Sequence, residues 1–185
     1  MLKPEEGREL LKLAKGAVVS VLSGKNFEIS PVLRERFGKK QGVFVTLHKN
    51  GKLRGCIGYP EPVIPLFEAT ARAASAAAFR DPRFPPLKRD ELPEIKFEIS
   101  VLTVPEKIKN SSPAQCCREI EIGRDGLIVS MGPYSGLLLP QVAVEHNMSK
   151  EEFLCCCCEK AGLHADEWKN GGCEICRFQA QVFSE

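Results

Sequence analysis

Val43-Phe44-Val45-Thr46-Leu47-His48-Lys49-Asn50-Gly51-Lys52-Leu53-Arg54-Gly55-Cys56-Ile57-Gly58-Tyr59 reads as two strands joined by a tight turn. Asn50-Gly51 suits the two positive-φ positions of a type I′ turn, so Val43–His48 and Leu53–Gly58 are expected to pair antiparallel. A two-residue loop sets Lys49 opposite Lys52, His48 opposite Leu53 and Val45 opposite Cys56. Alternation then places Cys56 on one face with Val43, Val45, Leu47 and Arg54, and turns His48 to the other. Gly55 and Gly58 flank the cysteine. A strand that gives up packing at two positions often does so to admit another backbone or a ligand.

Outward from this hairpin, the elements alternate in type. Pro4–Leu22 carries a helical stripe of Leu10, Leu11, Ala14, Ala17, Val18, Val21 and Leu22, stopped by Gly24. Val63–Phe79 is alanine-rich and predicts a helix lying close against a sheet. Arg80-Asp81-Pro82-Arg83-Phe84-Pro85-Pro86 breaks it. Glu94–Thr103 alternates, with Ile95, Phe97, Ile99 and Val101 on one side and Lys96, Glu98 and Ser100 on the other, a half-buried strand. Gly126–Met131 and Gly136–Leu139 form a second hairpin around Pro133-Tyr134-Ser135. Pro140 suits the first turn of a helix. Ser149 and Glu152 form a capping box for a helix through Ala161, ended by Gly162. Glu174–Phe183 gives the last strand. These elements predict an α+β protein, a mostly antiparallel sheet with flanking helices.

With 185 residues the chain can bury roughly 70% of its unfolded surface, as a single domain or as two lobes. Hydrophobic residues make up 43% and charged residues 27%, with a net charge of +2. That near balance argues against an obligatory nucleic-acid binder. No run approaches the roughly 18 apolar residues of a membrane span, and the N-terminus lacks a secretory apolar core. The expected compartment is the cytoplasm. There Asn110-Ser111-Ser112 and Asn147-Met148-Ser149 carry no meaning as glycosylation patterns, and nine cysteines are read as thiols or ligands rather than disulfides.

Three groups of residues bear on function. Cys56 is the candidate nucleophile, against the plainer reading of a small buried thiol beside Val45. Arg54 and Arg83 could together hold a phosphate or carboxylate, while Asp81-Pro82-Arg83-Phe84 also reads as a rigid turn with Asp81 bonding local backbone. Gln141 opens a helix after Pro140, and Glu98 and Ser100 lie on the polar face of their strand. The expected ligand-binding set is Arg54, Gly55, Ile57, Gly58, Asp81, Arg83, Glu98, Ser100 and Gln141. Cys155-x2-Cys158 and Cys173-x2-Cys176 come close to a four-cysteine zinc spacing. A strand, however, points Cys173 and Cys176 to opposite faces, and Cys155–Cys158 sits inside a capped helix. No metal and no cofactor is expected.

Leu53-Arg54-Gly55-Cys56-Ile57-Gly58 and Asp81-Pro82-Arg83-Phe84-Pro85-Pro86-Leu87 resemble two signature blocks of the AMMECR-type domain family. Glu98–Leu102, Gly126-Leu127-Ile128, Leu138–Ala143 and Lys160-Ala161-Gly162-Leu163 follow in that family's order, so the resemblance covers nearly the whole chain. It implies a single α+β domain over 1–185, of two unequal lobes with a cleft lined by the signature. It implies no settled activity. Domains of this family occur fused to Memo-like and radical SAM domains, which implies, as an alternative, a cysteine-dependent enzyme or accessory factor in a modification pathway; a second alternative is a non-catalytic adaptor. The chain departs from the family at Met148, commonly tryptophan, and in the run Cys155–Cys157, where only Cys158 resembles the family's cysteine. The leading expectation is a domain that binds a small anionic ligand or a modified segment of a protein partner around Arg54–Gly58.

Overall fold

The computed structural model describes residues 1–109 and 112–185, so Asn110 and Ser111 of the first glycosylation pattern lie outside the described residues. The chain forms two compact units: Met1–Leu102 with Gln181–Glu185, and Thr103–Ala180.

In the first unit, helix α1 (Pro4–Leu22) begins with Pro at its first position and has Glu5 and Glu6 in its first turn, where the helix dipole favours acids. Its stripe buries Leu10, Leu11, Ala14, Ala17 and Val18, and Gly24 follows it at φ +64°. A short α2 (Pro31–Arg36), capped by Ser30, was not expected from the sequence. Strands β1 (Val43–Lys49) and β2 (Lys52–Tyr59) are joined by Asn50 and Gly51, both at positive φ as the turn type demands. Helix α3 (Leu66–Phe79) and strand β3 (Ile95–Leu102) complete the unit, with a 3-10 turn at Arg89–Glu94 between them. β1 is central, with β2 and β3 antiparallel on either side.

One face of this sheet makes the core. Val43, Val45 and Leu47 of β1 stand beside Val101, Ile99 and Phe97 of β3, all buried under α1 and α3. Alanines at 69, 73, 74, 77 and 78 let α3 come close. At Gly55 it leaves no room for a side chain, since a Cβ there would lie 2.1 Å from the Ala77 carbonyl oxygen.

The second unit contains β4 (Glu106–Lys107), α4 (Pro113–Glu119), β5 (Asp125–Met131), β6 (Tyr134–Leu138), α5 (Pro140–Glu145), α6 (Lys150–Lys160) and β7 (Glu174–Ser184), the end of β7 belonging to the first unit. β4 and β5 flank β7, and β6 pairs outside β5, all antiparallel. Helix α6 carries the expected cap: Ser149 Oγ accepts from the Glu152 N–H while Glu152 accepts from the Ser149 N–H. It presses Phe153, Leu154, Cys157 and Cys158 into a core that also holds Trp168. Gly136 admits the helix, since a Cβ there would lie 2.5 Å from the Ala161 nitrogen. The chain is therefore mixed α and β with antiparallel pairing and flanking helices. No helix among the described residues is long and apolar enough to cross a membrane.

Gly55→Ala must push α3 away from β2, because the obstructing atom is backbone. The substitution should destabilise the protein by about 3 kcal/mol, read by thermal or denaturant unfolding. Gly51→Ala has open space and only backbone strain to meet, so it should cost less.

Candidate functional site

The hairpin contains a feature that its sequence did not reveal. Pairing runs Lys49 with Lys52 and His48 with Leu53, then shifts, so that Leu47 pairs with Gly55, Thr46 with Cys56, Val45 with Ile57 and Phe44 with Gly58. Leu53 and Arg54 together oppose His48, a β-bulge. One extra residue turns every later side chain to the opposite face. The expected partner of Cys56 was Val45; it is Thr46. Cys56 therefore shares a face with Phe44, Thr46 and His48, away from the core, and is half-buried rather than sealed. The expected separation of Cys56 from His48 by face is corrected accordingly, although no hydrogen bond joins them among the described residues.

On this outer face the strands build a cross-strand row. Thr46 lies between Cys56 on β2 and Glu98 on β3, and its hydroxyl donates to the Cys56 sulfur at 3.3 Å. Phe44 lies between Gly58 and Ser100, and His48 between Leu53 and Lys96. The Phe44 ring covers Gly58, where a Cβ would fall 2.2 Å from it. Both signature glycines thus have their vacant side filled by the protein itself. A cavity of about 530 Å³ opens at one end of this face, lined by His48, Lys96, Glu98 and Glu185 among others.

Asp81 and Arg83 secure the edge of β2 at Cys56. The Asp81 carboxylate, 3% exposed as a residue, accepts from the Cys56 N–H at 2.8 Å and from the Arg83 N–H at 3.1 Å. It also takes two bonds from the Arg83 guanidinium, at 2.9 and 2.7 Å. Arg83 Nη2 returns a bond to the Cys56 carbonyl at 3.1 Å. The edge residue thereby has both outward backbone groups satisfied, as a further strand would satisfy them. Hydrogen bonds from Arg83 hold the Asp81 carboxyl well below the usual carboxylate range.

Arg54, projecting from the bulge, is engaged in the same way. Its Nε and Nη2 donate to the two oxygens of Glu91 at 3.1 and 3.0 Å, a bidentate pair. Lys49 adds a bond to Glu91 at 3.2 Å. The Arg54 bonds draw the Glu91 pKa down to about 2. Phe84 lies against both guanidiniums, 6.0 Å from Arg54 and 5.6 Å from Arg83. One nitrogen, Arg54 Nη1, is buried without a partner. Each arginine of the two signature blocks therefore has its own carboxylate. Arg83 keeps its side chain 53% exposed, whereas that of Arg54 is 10% exposed.

Arg54, Gly55, Cys56, Ile57, Gly58, Asp81, Arg83, Glu98 and Ser100 all belong to the first unit. Ile57 and Gly55 face the core, while Cys56, Gly58, Glu98 and Ser100 lie on the opposite face, where Ser100 is nonetheless buried. Gln141 belongs to the second unit, in α5, with its Oε1 buried and unpartnered. Thr46 and Glu91 were not anticipated. Thr46 was hidden by the register, and Glu91 sits in Lys88-Arg89-Asp90-Glu91, which reads as a solvated charge run.

The other cysteines, Cys176 apart, lie in or against the core of the second unit. Cys116, Cys157 and Cys158 are fully buried, and desolvation raises their thiols to about 12, 12 and 11. Cys157 donates to the Gly136 carbonyl at 3.4 Å. No group of three or more His, Cys, Asp or Glu side chains is placed to hold a metal ion among the described residues.

Asp81→Ala removes four accepting contacts at once and should cost about 3 kcal/mol, while loosening β2 at Cys56 in amide exchange. Glu91, ordinarily at 4.5, is depressed in the fold, so its stabilising share is complete above that pH and declines as pH falls toward 2. Acid titration of unfolding should show this slope, and Glu91→Gln should flatten it.

The AMMECR1 family model matches residues 11–183. A protein of Methanothermobacter thermautotrophicus is 51% identical over 185 residues, spanning all of this chain and 96% of its own length. One of Methanocaldococcus jannaschii is 47% identical, spanning all of this chain and 92% of its own. The crystal structure of an uncharacterised protein from Pyrococcus horikoshii superposes with a TM-score of 0.91 at 46% identity, covering all of this chain and 93% of that one. With the signature blocks, the order of elements and this likeness in agreement, the chain belongs to the AMMECR1 family.

Proposed function

We propose that the outer face of β1, β2 and β3 around Cys56 is a binding site for a ligand or a modified segment of a partner. The observation that carries this reading is the ionic apparatus around one residue. Asp81 and Arg83 fix the Cys56 N–H and carbonyl together, yet the thiol they position is left half-buried on the face away from the core. Rigid support of an accessible side chain is how binding constellations hold their geometry.

The same geometry narrows the expected ligand. Arg54 and Arg83 are each neutralised by a carboxylate, so they offer little net field to a free anion. Arg83 keeps Nη1 clear of any hydrogen bond among the described residues and offers it as a donor to an acceptor group of the ligand. Glu98 lies two strand spacings from Cys56, about 10 Å across the sheet, and would take a donor. A molecule reaching from one to the other is extended and carries both polarities, which favours a modified peptide segment over a small inorganic anion. Native mass spectrometry of gently purified protein should find a retained species. Cys56→Ala and Glu98→Gln should release it with little change in melting temperature. Retention unchanged in both variants would remove this face from the reading.

A cysteine-dependent reaction is the second reading, favoured by the 3.3 Å bond from the Thr46 hydroxyl to the Cys56 sulfur. A donor fixed on the sulfur holds the side chain in one orientation for reaction. Cys56 should then be alkylated by iodoacetamide ahead of the half-buried Cys117, Cys156 and Cys176, whose thiols burial pushes up, with Thr46→Val slowing it. Alkylation at the same rate as those three would end the enzymatic reading and leave the binding one intact.

A further inference from the structure

The first unit holds a second cavity, of about 490 Å³, where the last turns of α1 and α3 meet the end of β2. That volume falls in the range of small-molecule sites. Three cations stand on its wall, Lys25, Arg72 and Arg80, and no carboxylate does. Glu68, a turn before Arg72 on α3, pairs with that arginine from outside the cavity. The side chains of Lys25 and Arg80 have no ion-pair or hydrogen-bond partner among the described residues. This contrasts with the signature arginines, each matched to a carboxylate.

Cations also gather near helix C-termini to oppose the dipole, and α1 and α3 both end here. Each such end presents only about half a negative charge, so three cations exceed the two ends and Glu68 together. The remaining wall is not that of a solvated surface. Ala17, Ala71 and Ala76 keep the space open, Ser20 and Ser75 offer hydroxyls, and Phe27 and Tyr59 offer rings. The Phe27 ring packs over Gly16, where a Cβ would lie 2.9 Å from it, so this side of the cavity is anchored to α1.

We propose that this cavity binds a phosphomonoester attached to a planar ring, with Lys25, Arg72 and Arg80 on the phosphate and Phe27 and Tyr59 against the ring. Guanidinium forks match phosphate oxygens, hydroxyls of Ser20 and Ser75 add neutral donors, and aromatic faces stack on a flat body. The site is separate from Cys56 and does not depend on the reading given for that face.

Calorimetric titration with adenosine 5′-monophosphate, inorganic phosphate and adenosine tests the assignment on the full chain. The monophosphate should bind best and weaken with added salt, inorganic phosphate should bind at least about tenfold more weakly for want of the ring contact, and adenosine should bind weakest. Lys25→Gln and Arg80→Gln, both exposed and unpaired, should each weaken the monophosphate by about tenfold while leaving the melting temperature in place. Amide shifts on titration should centre on Ser20, Tyr59 and Ser75. No binding of the monophosphate at millimolar concentration, or binding untouched by both substitutions, would overturn the proposal. Glu98→Gln should leave this binding unchanged, which separates its failure from that of the Cys56 face.

Discussion

The buried carboxylate of Asp81 is what ties the two signature blocks into one structure. A carboxylate almost removed from water is tolerated only if its lone pairs are filled and its charge matched. Asp81 meets both conditions at once, through Arg83 and through the Cys56 N–H. The turn that follows α3 is thereby fastened to the outermost strand of the first unit. Edge strands otherwise leave a row of unpaired backbone groups open to another chain. Here one ion pair closes that edge at a single residue, and the residue it closes is the half-buried cysteine.

The parts of the fold that follow local rules were legible in the sequence. α1 has the predicted bounds, Asn50-Gly51 makes the predicted turn, and Ser149 with Glu152 makes the predicted cap, because each depends on residues within one turn of one another. The short α2 and α4 were missed because six or seven residues carry too little periodicity. The bulge at Leu53 and Arg54 was missed for a different reason. Nothing in a strand's own sequence marks the extra residue when its neighbours alternate acceptably in either register, so the tertiary environment decides. Arg54 meets Glu91 from the bulge, and Gly55 lies against the Ala77 carbonyl. That single slip moved Cys56 from Val45 to Thr46 and changed the chemistry available to it.

Glu91 shows how a site partner can be invisible to pattern and still be required by physics. An arginine side chain that is 10% exposed needs an acceptor of full charge. Burial of Arg54 therefore implies a carboxylate somewhere, and the 3-10 turn at Arg89–Glu94 supplies it. The residue could have been sought on that ground, by asking which acid completes the arginine rather than which residues look functional. The same question asked of Arg83 returns Asp81, two residues away and already within the second signature block.

Charge accounting also separates binding surfaces from structural ones more sharply than motif recognition does. A guanidinium already holding a carboxylate in a bidentate grip loses that contact if it turns to a second anion, so the exchange gains little. A cation without a partner loses only water. By this measure the signature arginines hold the strand and cover Phe84, with only Nη1 of Arg83 left over as a donor, while Lys25 and Arg80 have no carboxylate against them. The two glycines obey the same logic in terms of volume. Gly55 and Gly58 are vacant in sequence, but α3 and Phe44 occupy the space they leave. What the signature leaves half-buried on the outer face is Cys56 between them, held from the backbone side by ionic bonds and from the sheet side by a threonine hydroxyl.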